Sequence, residues 1–253
     1  MMRLIALPAV HCAAGAMALV VGAGVARADV ATLPPAKDNT LFQPVAGETS
    51  NGAGPDLYVG RTAFNGSRRA VMMFDVSSIP STATISSVTL NFRVTRTPQG
   101  GRQEDVSLRR LTADWGEGAS NSDGGDGDPA QPSDATWLHR FYPDTSWTTA
   151  GGDFVSTISA TRHLAGIGAY SFTSMTMISD VQSWLSSPAS NFGWIMIGDE
   201  AVTQTARRLA SRENPDQTLR PQLLVTYSVP EPTFVMVLPI AGFALRRREV
   251  TTP

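Results

Sequence analysis

The chain has a single cysteine, Cys12, among 253 residues. Cys12 lies inside an apolar N-terminal run, so a mature chain that has lost this run contains no cysteine at all. Disulfide bridges, thiolate metal sites and cysteine nucleophiles are then excluded together. Stability has to come from packing, which bound ions can supplement.

The chain also lacks a basic surface signature. Its formal net charge is -2, its pI is about 5.9, and Lys37 is the only lysine among dispersed arginines. Proteins that bind nucleic acid usually carry clustered positive charge. We therefore expect no nucleic-acid partner.

Enzyme motifs are missing as well. The chain has no Gly-x-Ser-x-Gly elbow, His-Glu-x-x-His helix, phosphate loop or dinucleotide fingerprint, and a mature chain has only His139 and His163 as near-neutral proton shuttles. We expect a protein that is not an enzyme. The alternative is a polysaccharide-degrading enzyme that uses Asp114 and Glu117, beside Trp115, as a carboxylate pair.

The N-terminus predicts export. Arg3 precedes the apolar run 4–25, and Ala26 and Ala28 have the small-x-small spacing of a signal peptidase site. Residues 1–28 are therefore predicted to be a signal peptide, with the mature chain starting at Asp29. An uncleaved N-terminal anchor is the alternative.

The C-terminal segment 229–253 carries a second targeting pattern, in which the apolar run 233–245 stands between two polar motifs. The motif residues are Pro230, Glu231, Pro232, Arg246, Arg247 and Arg248. This order resembles the PEP-CTERM sorting signal, which implies export across the inner membrane of a Gram-negative bacterium, transient membrane contact and processing by an exosortase. Arginines after an apolar helix hold that end in the cytoplasm. The run reaches only about 20 Å against a hydrocarbon core of about 30 Å, and a disordered apolar tail is the alternative.

Between these segments, residues 29–228 show short runs of two-residue alternation and almost no helical periodicity. The clearest strand is 85–95, and we expect 69–76 to be its partner. A short helix is predicted at 180–185, capped by Ser179 or Asp180. Further strands are predicted at 40–43, 56–60, 105–111, 170–177, 193–198, 206–211 and 222–227. This pattern predicts an all-β fold, an antiparallel β-sandwich of jelly-roll type with one short helix and long loops.

The same region resembles the DNRLRE domain family. The resemblance is carried by residues 69–80, 83–90, 180–184, 193–197, 211–214 and 220–227. It implies a jelly-roll module of a cell-surface or polysaccharide-associated protein, and some relatives bind acidic glycans. The string that names the family is absent from this chain.

A loop of nearly forty residues, 115–154, is the most unusual internal region. It predicts two candidate sites. Flat aromatic faces stack on sugars, and the candidate carbohydrate-binding residues are Trp115, Trp137, Tyr142 and Trp147. Carboxylates on flexible backbone bind hard cations, and the candidate ligands of a structural Ca²⁺, the one cofactor considered, are Asp123, Asp126 and Asp128. The alternatives are buried rings that pin the loop and a solvated acidic turn. Asp38, Asp134 and Asp153 are further potential donors.

Arg212 and Glu213 end a predicted strand, where we expect them to brace the loop before the last strand, with Arg220 or backbone donors as partners of Glu213. The favoured function is a non-catalytic, secreted or cell-surface protein that associates with extracellular polysaccharide. A passive structural or adhesive matrix protein without a sugar site is the second hypothesis. Buried tryptophan rings in the loop would favour it.

Overall fold

The structure is a computed structural model that describes residues 27–43, 48–64, 66–99 and 102–230, together with the backbone of 17–21 and 235–239. The chain divides into two compact units. One is Arg27–Val229. The other takes in both ends of the chain, and its described part is an antiparallel pair between strands Met17–Val21 and Val235–Pro239. Ala26 and the predicted sorting residues from Glu231 to Arg248 lie outside the residues whose side chains are described.

The described strands are mostly short and share an antiparallel arrangement. In chain order they are β1 (Met17–Val21), β2 (Ala28–Leu33), β3 (Pro35–Phe42), β4 (Thr49–Ser50), β5 (Asp56–Arg61), β6 (Ser67–Phe74), β7 (Thr84–Arg96), β8 (Glu104–Leu111), β9 (Asp128–Pro129), β10 (His139–Phe141), β11 (Thr145–Ser146), β12 (Phe154–Leu164), β13 (Gly168–Thr173), β14 (Trp194–Ile197), β15 (Arg207–Ala210), β16 (Gln222–Ser228) and β17 (Val235–Pro239). The helix α1 spans Met175–Ser186, and single 3₁₀ turns occupy Pro188–Ser190 and Gln217–Leu219.

Eleven strands form one curled antiparallel sheet in the order β12-β8-β14-β6-β5-β15-β7-β16-β2, with β13 on β7 and β3 on β6. β5 joins its two halves. Its first residues pair with β15, whereas Gly60 and Arg61 pair with β6. Gly60 has a φ of +102°, a backbone conformation that residues with a side chain rarely adopt. Residues of both halves share one apolar core, which confirms the predicted all-β sandwich of jelly-roll type.

β7 shows why the alternating pattern folds this way. Ile85, Val88, Leu90, Phe92 and Val94 are all buried, as predicted, and the polar residues between them face outward or to the layer edge. The pairing register of β7 with β16 shifts between Thr226 and Tyr227. This shift lets Ile85 and Val88, which are three positions apart, point to the same face. Burying each such side chain contributes about 1.5–3 kcal/mol.

The predicted pairing of 69–76 with 85–95 is wrong. β6 pairs with β3, β5 and β14, whereas β7 pairs with β13, β15 and β16. The intervening segment carries the chain from one half of the sheet to the other. β6 is nevertheless the two-sided central strand that its sequence indicated, because Met72 contacts the main core and Val71 a second cluster.

Several other elements differ from the predictions. α1 begins five residues before the predicted helix, because Ser174 caps it, and this shortens the strand predicted to run from Tyr170 to Met177. β2 and β12 were not predicted, since their outward-facing residues give them little apolar alternation. The two- and three-residue strands β4, β9, β10 and β11 were not predicted either. The buried face of α1 includes Val181, Trp184 and Leu185, as predicted.

Tryptophan packing fixes α1 to the sheet. The rings of Trp184 and Trp194 lie 4.4 Å apart between centroids. Trp194 donates its indole N–H to Asp180 Oδ2 over 2.9 Å, and Ser159 donates to the same oxygen over 2.6 Å. No helix in the described part of the chain has the length and apolar character needed to cross a membrane.

Candidate functional site

The three predicted stacking tryptophans lie inside a second apolar cluster. Trp115, Trp147 and Trp137 are only 1%, 5% and 8% exposed. Trp115 donates its indole N–H to Phe192 O, and Trp147 donates to Thr136 O, each over 2.9 Å. The rings therefore pin the long loop to the outer side of β3, β6 and β14.

Cationic side chains lie over two of these three rings. Lys37 Nζ lies 4.5 Å from the centroid of Trp115, and the guanidinium carbon of Arg69 lies 4.6 Å from that of Trp137. Tyr142 is half-buried, with its ring 5.5 Å from that of His139 in an edge-on arrangement. The structure therefore does not gather Trp115, Trp137, Tyr142 and Trp147 into an open aromatic platform.

The predicted calcium ligands in the loop do not converge either. Asp123 and Asp126 are exposed, and Asp128 begins the short strand β9. Asp126 Oδ1 accepts from Arg68 Nη2 over 3.2 Å. In the described ranges, the group of three acidic side chains whose oxygens do converge is a different one, Asp38, Glu117 and Glu213.

This acidic cluster, Asp38, Glu117 and Glu213, is assembled from distant parts of the chain. Asp38 lies on β3, Glu117 follows β8 in the long loop, and Glu213 lies in the turn after β15. Each presents one carboxylate oxygen, and these oxygens all lie within 4.8 Å of one another. Asp38 is fully buried, and the other two are partly buried.

Arg212 is the cation next to the acidic cluster. Its Nε lies 2.7 Å from Glu117 Oε1 and 2.6 Å from Glu213 Oε1, as ion-pair contacts without hydrogen-bond alignment. Its Nη2 donates to Glu117 Oε2 over 3.2 Å, and its backbone N–H donates to Asp38 Oδ2 over 2.8 Å. Glu117 Oε1 also accepts from the backbone N–H of Asp38 over 2.9 Å.

The surroundings of Asp38 and Glu213 disfavour the ionised forms of these two carboxyl groups. Burial raises the pKa of Asp38 well above its ordinary value, and the neighbouring Glu213 charge raises it further. Burial likewise raises the pKa of Glu213, against the attraction of Arg212. The predicted partner Arg220 is not used by Glu213, since Arg220 Nε donates to Asn214 O over 2.7 Å.

A second feature, which we call the arginine groove, is an open groove of about 370 Å³ at the end of β5, β7 and β15. Its lining includes Tyr58, Arg68, Arg96 and Arg208, together with the loop residue Asp123. Arg68 pairs with Asp126, and Arg208 Nη1 lies 3.3 Å from Asp56. Arg96 is exposed and has no ion-pair partner among the described residues.

The carboxylates of the alternative enzyme hypothesis are held in ion pairs. Asp114 Oδ1 accepts from Lys37 Nζ over 2.7 Å, and Glu117 is paired with Arg212. His139 Nδ1 lies 2.9 Å from Glu48 Oε2, and His163 Nδ1 lies 2.7 Å from Asp105 Oδ1 on an exposed strand. Each of these four side chains therefore has a charged or polar partner from another part of the chain.

Sequence reasoning had singled out Asp38, Glu117 and Glu213 separately, for three different roles. No local signal indicated that they meet, because 79 positions separate Asp38 from Glu117. The arginine groove was missed for the same reason.

No protein-family model matches the chain, and no curated protein matches it.

Proposed function

We propose that this protein is an exported, non-catalytic component of the cell surface or extracellular matrix that associates with acidic polysaccharide through the arginine groove. The observation that carries the proposal is the placement of exposed Arg96, without an ion-pair partner in the described ranges, beside Arg208 and Tyr58 in one open groove. Guanidinium groups recognise carboxylates by paired hydrogen bonds, and uronic acids present carboxylates along a chain.

The groove replaces the tryptophan platform as the proposed contact surface. Stacking on Trp115, Trp137 or Trp147 would require the loop to leave the sheet, and each ring is held by burial. A charged groove needs no such rearrangement. The proposal therefore expects binding that weakens with added salt, because exposed charges are screened over about 10 Å at 0.1 M.

The cellular setting of the proposal comes from the sequence. The small-x-small site at Ala26 and Ala28 and the PEP-CTERM-like tail support export, with signal peptidase and an exosortase as processing partners. The likeness of residues 29–228 to DNRLRE domains supports a surface role beside polysaccharide.

Affinity electrophoresis tests the groove directly. The chain should be retarded by a polyuronate gel and run normally in a neutral glucan gel. Arg96→Ala should reduce the retardation several-fold, since it removes the exposed guanidinium. Arg93→Ala is the matched control, because Arg93 lies on the same strand, is also exposed, and does not line this groove.

Equal retardation of the two variants would reject the groove as the contact surface. Absence of retardation on any acidic or neutral polysaccharide would reject sugar binding. The second candidate, a passive structural or adhesive matrix protein, would then be favoured, and the buried tryptophans of the loop already support it.

A further inference from the structure

The acidic cluster has the donor set of a hard-cation site. Its three carboxylates come from β3, the long loop and the turn after β15, and their oxygens lie within 4.8 Å of one another. Calcium binds oxygens at about 2.3–2.6 Å, so two ligands of one ion are at most about 5 Å apart. From this geometry we infer that Asp38, Glu117 and Glu213 bind one divalent cation, of which Ca²⁺ is the best match.

A second observation points to a ligand independently of the clustering. Asp38 is 0% exposed, and its Oδ1 has no hydrogen-bond partner. Glu213 Oε2 is also buried as an atom and without a partner. Buried carboxylate oxygens are expected to be satisfied, because an unpaired one costs its full desolvation energy. A cation between the carboxylates would supply the missing partner for both oxygens.

Charge balance leads to the same ion. The guanidinium of Arg212 contacts Glu117 and Glu213, and only its backbone N–H contacts Asp38. With all three carboxylates ionised, the cluster and Arg212 together carry a formal charge of -2. A divalent cation neutralises that charge without removing Arg212. The donors are all carboxylates, with no histidine or cysteine in the group, which favours Ca²⁺ over Zn²⁺. Waters or backbone carbonyls would complete the coordination.

The ion would tie together three segments that are remote in the chain. Binding to the folded state alone raises the free energy of unfolding by mass action. The site is separate from the arginine groove, none of whose lining residues belongs to the acidic cluster. Cation binding and polysaccharide binding therefore succeed or fail independently.

Calorimetric titration of the full chain with Ca²⁺, after removal of metal with a chelator, tests the site. We expect one ion per chain and a thermal midpoint that rises in about 5 mM Ca²⁺, a concentration above the dissociation constants of roughly 10⁻⁴–10⁻³ M typical of extracellular modules. Tb³⁺ should replace Ca²⁺ and give luminescence sensitised by tryptophan. A folded chain that binds neither ion would overturn the inference, and this measurement needs no variant.

Two variants locate the ion. Asp38→Asn and Glu213→Gln keep the size of the side chain and should each weaken Ca²⁺ binding at least tenfold. The control combines Asp123→Asn with Asp128→Asn, which removes the loop carboxylates and leaves the pair between Arg68 and Asp126 intact. Binding that is lost in the control, or unchanged in the two cluster variants, would place the ion elsewhere and overturn the inference.

Discussion

Glu104 is a carboxyl group that the fold buries with too few partners. It is 2% exposed, its Oε1 has no hydrogen bond, and its Oε2 accepts only a backbone N–H, from Asp199 over 3.2 Å. Burial raises its pKa to about 8, although the charge of Arg207 opposes the shift. Gly60 and Gly198 leave room for this carboxyl, since an added Cβ would come within 2.8 Å and 2.3 Å of Oε2.

This shift predicts that the protein loses stability as pH rises from 4.5 to about 8. Between pH 4.5, its ordinary pKa, and about 8, the folded protein keeps a proton that the unfolded chain releases. The free energy of unfolding therefore falls as pH rises through this range, by on the order of a few kcal/mol in total. Glu104→Gln should remove most of that decline, as measured by urea unfolding at several pH values.

The exposed Asp144 supplies the control for this prediction. Asp144→Asn should leave the pH dependence of the wild-type chain unchanged. A Glu104→Gln chain that still loses stability as steeply as the wild type would show that another group carries the effect.

For single side chains, the sequence predicted the chemical character better than the location in the fold. It correctly marked the loop tryptophans as large apolar groups with two possible fates, stacking or burial. Only the folded chain decides between these, because burial depends on β3, β6 and β14 lying beneath the loop. The same holds for Asp38, whose burial has no local sequence signal.

The helix α1 shows how one capping residue sets the limits of an element. Ser174 Oγ accepts the backbone N–H of Met177 over 3.0 Å and also donates to Ser159 O on β12. This cap starts the helix well before the predicted position. Its apolar face then reaches from Met177 to Leu185, which is long enough to cover one end of the core.

Ser174→Ala should therefore destabilise the protein by about 1–2 kcal/mol, because it removes the cap and leaves two backbone groups without a partner. Thermal or chemical unfolding measures this change. Ser179→Ala is the control, since Ser179 Oγ only bonds back to Met175 O at the exposed surface. Equal effects of the two substitutions would contradict the capping role.

At the scale of the whole compact unit Arg27–Val229, the boundaries of the two predicted targeting segments lie side by side. Ala28, at the end of the predicted signal peptide, is the register partner of Ser228, the last residue before the predicted sorting segment. The first residue of β2 and the last residue of β16 are thus neighbours at the same end of this strand pair. Removal of both targeting segments would leave the pairing from Asp29 to Leu33 intact.

Mass spectrometry of the protein from its native host tests the predicted removal of both targeting segments. We expect a mature chain that begins at Asp29 and has lost its C-terminal arginines. Recovery of a chain with Met1 and Pro253 still present would contradict the export proposal. The polysaccharide test on the groove would still be valid in that case.

Local patterns in the chain were sufficient for the all-β class, for the outward and inward faces of β7 and for the buried face of α1. Alternation with a period of two acts between neighbouring residues, so a single sequence reveals it. Such patterns could not predict which strands pair with each other, and β6 and β7, the predicted partners, lie in different halves of the sheet. The acidic cluster, the arginine groove and the burial of Trp115 all depend on segments far apart in sequence. Their contacts exist only after the chain has closed long loops, and that closure is a property of the packed molecule.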